Sequence, residues 1–212
     1  MRALFSTIVK SFFKFFNHLT MYWWVAWSNF RFRDSIRTDL SLITKEDSAI
    51  SNWGEVYQLL LRLYHKYTWT KDGVDQLWDA ITPPPQNYSN YLSGGVFDDC
   101  DGFHSLVHYA LSCNGIESYL LAVTTLDGGH CTLLVHLDGR WCVVDYTSVS
   151  PAFDTPEQAV ANYAENYPKK YGHKYPTMFC GLVSYDYTSG KFYYEGSPSR
   201  LAKKLSSHIQ SK

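Results

Sequence analysis

Residues His130 to Thr147 read HCTLLVHLDGRWCVVDYT, two β-rich runs joined by nothing but Asp138-Gly139. An Asp-Gly pair in that setting signals a hairpin with a two-residue type I′ turn, because both central positions need positive φ. That turn fixes a register: Leu137 falls opposite Arg140, and counting outward sets Thr132 opposite Asp145. Side chains alternate between faces, so His130 shares the face of Thr132 and lies diagonal to Asp145, with backbones roughly 7 Å apart and side chains in reach. A hydrogen-bonded His130–Asp145 pair is expected. Cys131, Cys142 and Val144 fall on the other face and read as structural. A longer turn would shift the register and remove the pair.

Upstream, Val96 to Gly115 reads VFDDCDGFHSLVHYALSCNG, an abrupt strand or loop exit into an amphipathic helix closed by Asn114-Gly115. Cys100 sits in its first turn, among unpaired backbone N–H groups and at the positive end of the helix dipole, both of which favour the thiolate. Asp98, Asp99 and Asp101 act in the opposite sense, since nearby negative charge holds a proton on sulfur. A thiol nucleophile needs a base, a group that fixes the base's tautomer, and donors for the oxyanion formed on acyl attack. Cys100, His130 and Asp145 meet the first two needs. The backbone N–H of Cys100 is one candidate oxyanion donor, with Trp78 or a side chain from residues 86–90 as the second.

The helix turns Phe103, Leu106, Val107, Ala110 and Leu111 to the core. His104 and His108 follow Cys100 by one and two turns, but two His at i, i+4 with one Cys make a weak metal pattern. No metal and no cofactor are expected. His136 reads as a surface or packing residue.

Elsewhere, Ser48 to Tyr67 carries apolar residues at helical spacing, and a short helix is expected over Asp72 to Ile81. Pro83-Pro84-Pro85 is read as ending it, leaving residues 86–95 as a loop leading to the cysteine. Loops beside a nucleophile often bind substrate, which makes Gln86, Asn87 and Tyr88, with Trp78, the oxyanion and substrate candidates. Ile116 to Thr125 reads as a buried strand. Thr155-Pro156-Glu157-Gln158 is a capping box that opens a helix to about Tyr167. Met178 to Tyr187 and Lys191 to Glu195 form a closing hairpin, and Arg200 to Gln210 a basic helix.

A chain of 212 residues suits one domain, and a hydrophobic content of 45% excludes a disordered one. Five cysteines with no C-x-x-C pair fit a reduced compartment such as the cytoplasm better than a disulfide framework. Charge is uneven. Residues 1–37 carry six basic residues against Asp34, a net of +5; residues 196–212 carry +4 and no acid; residues 38–195 are therefore −10. An acidic body makes nucleic acid an unsuitable partner for the core. Residues 3–20 place apolar side chains at 5, 8, 9, 12, 13, 16 and 19, followed by the aromatic run MYWWVAW. Lys10 and Lys14 interrupt this segment too often for an ordinary membrane span, and no signal cleavage pattern follows. Residues 1–37 thus read as an anchor to the domain itself, to a protein assembly or to a membrane surface, flanking a catalytic domain at 38–195 and a basic tail at 196–212.

Taken together, D-C-D-G-F opening a helix, G-G-H-C-T-L-L-V-H-L-D-G-R-W-C-V-V-D-Y-T thirty residues on, and Trp78 before a Pro stretch resemble the transglutaminase-like cysteine peptidases, within the broader papain-like fold. The resemblance spans about residues 70–150. It implies an α+β fold with the nucleophile helix packed on an antiparallel sheet and extra N-terminal helices around it. It also implies a Cys100 nucleophile, a His130 base and an Asp145 orienting acid, acting on a peptide or protein amide through a thioester. His104 departs from the family, which usually has a small residue there. The D-C-D-G-F string also resembles the D-C-S-G-F of NlpC/P60 peptidoglycan peptidases, a second expectation with the same thiol chemistry. A third is a structural component of a larger assembly, such as a phage particle, that keeps the fold.

Overall fold

A computed structural model describes residues 2–70 and 80–203, those before Ser11 by backbone alone. The elements are α1 (Arg2–Arg31), α2 (Trp53–His65), β1 (Tyr67–Trp69), α3 (Pro84–Ser93), β2 (Val96–Asp98) and α4 (Cys100–Cys113), then β3 (Glu117–Thr124), β4 (Gly129–Leu137), β5 (Arg140–Asp145), β6 (Ser148–Val149), α5 (Pro156–Tyr171), β7 (Phe179–Asp186) and β8 (Lys191–Gly196). Six strands form one antiparallel sheet in the order β6-β5-β4-β3-β7-β8, while β1 and β2 pair in parallel beside it. The fold is α+β.

The β4–β5 hairpin forms in the expected register. Asp138 and Gly139 both take positive φ, 54° and 71°, and Leu137 pairs with Arg140 through to Leu133 with Val144. Alternation then divides the strands between two cores. Leu120, Ala122, Cys131, Leu133, Val135 and Val144 belong to the core under α4, whereas Leu121, Val123, Leu134, Trp141 and Val143 meet Ala159, Val160, Tyr163 and Tyr167 of α5. The sheet therefore lies between α4 and α5, and α1 packs against β7 and β8 on the α4 side.

Two expectations change. The run Pro83-Pro84-Pro85 opens a helix instead of a loop: Pro84 and Pro85 fill the first turn of α3, where a missing N–H costs nothing and a fixed φ suits the helix. The capping box starts α5 as expected, with Thr155 accepting from the Gln158 N–H. The helix then runs past Pro168 to Tyr171 and stops at Gly172, φ 72°. Pro168 cannot donate to the Ala164 carbonyl, and the Thr177 hydroxyl donates to it instead at 2.6 Å. Most of the helix expected over Asp72–Ile81, with Trp78, and most of that expected over Arg200–Gln210 lie outside the described residues; Ala80 and Ile81 are not helical, and 198–203 is.

Candidate active site

Cys100 is the first residue of α4, and Asp99 caps the helix by accepting from the Asp101 N–H at 3.1 Å. Asp98 folds back over the same turn. Its carboxylate accepts from the Asp99 N–H at 2.9 Å and from the Thr82 hydroxyl at 3.2 Å. Gly102 permits this, because a Cβ there would fall 2.1 Å from the Asp98 carboxylate. The Tyr67 hydroxyl donates to the carbonyls of Asp98 and Asp99 at 3.0 and 2.8 Å, pinning the entry to the helix from the other side. The backbone N–H of Cys131 donates to Cys100 Sγ at 3.2 Å, a bond that favours the thiolate against the neighbouring acids.

His130 and Asp145 meet as the register requires, with Nε2 2.8 Å from Oδ1. Asp145 is buried, and its second oxygen accepts from Tyr163 at 2.8 Å, Lys170 at 2.7 Å and Tyr171 at 2.7 Å. Burial alone would raise the Asp145 pKa; the hydrogen bond and charge of His130, with His104 and Lys170 beyond, outweigh it and hold the carboxyl well below the usual range. The pair faces α5 and Cys100 lies under the opposite face, but β4 begins at Gly129 and β5 ends at Asp145. The two faces therefore join around the strand ends. Cys100 and His130 line one cavity of about 230 Å³, with Thr20, Met21 and Trp24 of α1 as its far wall.

His104 links the two halves. It is fully buried, its Nδ1 bonds the Cys100 carbonyl at 2.6 Å, and its Nε2 accepts the Tyr146 N–H at 3.0 Å. Accepting at Nε2 leaves the proton on Nδ1, so the ring is neutral and donates to Cys100. Burial, helped by the nearby His130, pushes its pKa down to about 4, with Asp145 and the Cys100 carbonyl opposing. Tyr146 follows Asp145 with φ 52°, a conformation a tyrosine rarely adopts, and its N–H is thereby turned to His104.

The structure brings Cys100, His130 and Asp145 to one end of the sheet and places the other candidates elsewhere. Gln86, Asn87 and Tyr88 belong to helix α3, not to an open loop, and their polar atoms are spent on packing. Gln86 Oε1 accepts from the Ile36 N–H, Asn87 donates to the Gly102 carbonyl at 2.9 Å, and Tyr88 donates to Asp47 at 2.8 Å. Asn87 thus steadies the first turn of α4 from behind. Trp78 lies outside the described residues. Among the other cysteines, burial pushes Cys142 up to about 11 and Cys180 to about 12. His136 stacks on Trp141 and bonds Glu117.

Sequence reading missed Lys170, Tyr163, Tyr171, His104 as a bridge, and the Cys131 N–H. The recurrence of tyrosine at 163, 167 and 171, every fourth residue, was a usable signal for a helix face bearing hydroxyls. A backbone donor leaves none.

No family model and no curated protein matches this sequence. A solved structure from Cytophaga hutchinsonii, provisionally described as a cysteine protease, is similar with a TM-score of 0.42 and 13% identity over 72% of this chain. This chain spans about half, 46%, of that structure's length.

Proposed function

We propose that this protein is a cysteine-dependent acyl-transfer enzyme of transglutaminase-like, papain-like architecture, with its catalytic unit in residues 38–195. The observation that carries this is that His130, bonded to the buried Asp145, lines the same cavity as Cys100, whose sulfur also accepts a backbone N–H. His130 commits Nε2 to Asp145, so Nδ1 serves as the base toward the thiol. In the reaction, Nδ1 takes the Sγ proton, and sulfur bonds the carbonyl carbon of a peptide or isopeptide amide. The oxyanion collapses, the C–N bond breaks, and the amine leaves with the proton returned by His130. Water or a second amine then resolves the thioester. Asp145 fixes the ring and stabilises its charged form, while Lys170, Tyr163 and Tyr171 keep that carboxylate ionised and in place.

The test is labelling with a thiol-reactive probe near neutral pH. Cys100 is expected to react well ahead of Cys142 and Cys180, and His130→Ala to abolish the advantage. Labelling of Cys100 no faster than a free thiol, together with a Cys100→Ala protein that hydrolyses and cross-links as before, would refute this reading in favour of a non-catalytic assembly component.

A further inference from the structure

Helix α1 has two apolar faces. Met21, Val25 and Ser28 are buried against the domain, and the Asn29 side chain bonds both backbone groups of Phe192. The opposite face carries Phe12, Phe15, Phe16, Leu19, Tyr22, Trp23 and Phe30, each more than half exposed. Their spacing at three and four residues forms one stripe about 27 Å long. An uncovered aromatic stripe of that size calls for an apolar partner.

We propose that this stripe docks the protein onto an anionic lipid surface, with α1 lying in the plane of the interface. Charge selects this occupant. Helix α1 contains no acid; Arg31 is exposed beside the stripe, where a long side chain reaches headgroups while the aromatic face is immersed, and exposed Lys14, one turn before His18, adds to the positive field of the segment. Arg33 rests over Phe30 at the end of the stripe and pairs with Asp34, the single acid of residues 1–37. Two copies meeting through the stripe would set one +5 segment against another, whereas anionic lipid neutralises it. The −10 of residues 38–195 repels the same surface, so α1 alone turns toward it. No helix among the described residues is long and apolar enough to cross a membrane, which leaves the in-plane arrangement for α1. The same helix walls the Cys100 cavity with Thr20, Met21 and Trp24, so docking holds that cavity within about one helix diameter, ~10 Å, of the lipid. Resting on the thiol chemistry proposed above, this assigns as substrates amides presented at a lipid surface.

The experiment uses the full chain carrying Cys100→Ala, so that docking is read apart from catalysis, and sediments it with vesicles of phosphatidylcholine alone or mixed with phosphatidylglycerol. Partition to the mixed vesicles is expected to be at least about tenfold stronger and to weaken with salt. Phe16→Ser with Trp23→Ser should abolish it, and Lys14→Glu with Arg31→Glu should remove the preference for anionic lipid; all four side chains are exposed, and circular dichroism checks that the fold persists. Equal partition to both vesicles, or unchanged partition of both variants, would overturn the proposal. So would a concentration-dependent dimer that the aromatic substitutions dissociate in a protein that ignores vesicles. None of these results touches the labelling of Cys100.

Discussion

His104 and His108 stand one helical turn apart on α4, both buried and both pushed by burial to a pKa of about 4. Their surroundings differ. His104 uses both ring nitrogens, joining the Cys100 carbonyl to the N–H that follows Asp145. His108 bonds only the Ser118 hydroxyl, at 2.6 Å, stacks on Tyr187, and leaves Nε2 without a hydrogen-bond partner. One residue type, on one helix, equally buried and equally neutral, is a bridge at one end and packing at the other. Burial and a displaced pKa thus do not identify a functional histidine; what the ring connects does.

The strongest way to break this contrast is to ask whether activity follows the site end of α4 alone. His130→Ala removes the proposed base and is expected to lower amide turnover by about 10²- to 10⁴-fold. His108→Leu should leave turnover unchanged, since it removes a ring with an unbonded buried nitrogen far from any reacting atom. Its stability should stay near the parent's, because the loss of one bond to Ser118 is offset by relief of that nitrogen. Initial rates with any amide the protein accepts, beside thermal unfolding of each variant, decide the point. A comparable loss of rate in both would end the distinction.

In acid the two histidines should instead behave alike. Each binds a proton more readily unfolded, at about 6.5, than folded, at about 4, so the unfolded chain holds more protons between those values and stability falls as pH drops through them. The loss amounts to about 3 kcal/mol for each ring and is complete below about pH 4. Asp145 adds to it at the low end: its folded pKa is depressed, so its contribution is whole above about pH 5 and drains away as pH falls further. Denaturant unfolding across pH 3.5–7, a range bracketing about 4 and about 6.5, should show His104→Asn and His108→Leu each flattening the curve by a similar amount. A flattening from one alone would show that the shared burial is not the cause.

How much of this was legible in the sequence depends on whether a contact is set by local geometry. The Asp138-Gly139 turn admits one register, so a count of residues was enough to bring His130 to Asp145. The helix starting at Cys100 was legible from its amphipathic pattern and the Asn114-Gly115 pair at its far end, though its Asp99 cap was not read. The proline run was not: the same residues end one helix or begin the next, and α3 makes Gln86, Asn87 and Tyr88 supports for α4. The last turn of α5 was not legible either: the helix tolerates Pro168 because the Thr177 hydroxyl bonds the Ala164 carbonyl, a compensation that belongs to no local motif. Ending α5 early hid Lys170 and Tyr171, which complete the shell around Asp145.

The bridge itself predicts a smaller effect than the base. His104→Ala leaves the Tyr146 N–H unpaired in the interior and frees the Cys100 carbonyl, a penalty of about 1–3 kcal/mol that should appear as a tenfold to hundredfold loss of turnover. Asn places its amide near the position of Nδ1, so His104→Asn should recover part of the loss by restoring the donor to Cys100. A merely space-filling role would give the opposite ranking, with the apolar His104→Leu the better replacement and Asn the worse. The thiol-labelling pH profile, compared between His104→Ala and His104→Asn, separates the two, because only a bridge that holds Cys100 in place should move it.

The finest comparison is between the phenols beside the two ends. Tyr171 donates to Asp145 at 2.7 Å and its hydroxyl lies 3.3 Å from His130 Nε2, whereas Tyr187 stacks on His108 at a centroid separation of 6.0 Å. Tyr171→Phe removes one of three donors to a carboxylate oxygen that keeps Lys170 and Tyr163, so the remaining pair still holds the charge. The loss should be about 1 kcal/mol, a several-fold drop in rate, with no change in fold. Tyr187→Phe should leave the rate where it is. Tyr171 is exposed and its hydroxyl is bonded, whereas the Tyr187 hydroxyl is buried without a hydrogen-bond partner, so Tyr187→Phe shows what losing a hydroxyl outside the site does. What remains is the difference between a hydroxyl that feeds the Asp145–His130 pair and one that does not. Equal rates in the two variants would mean that Lys170 and Tyr163 suffice to fix Asp145, and would shrink the proposed site to Cys100, His130 and Asp145 with the His104 bridge between Cys100 and Tyr146.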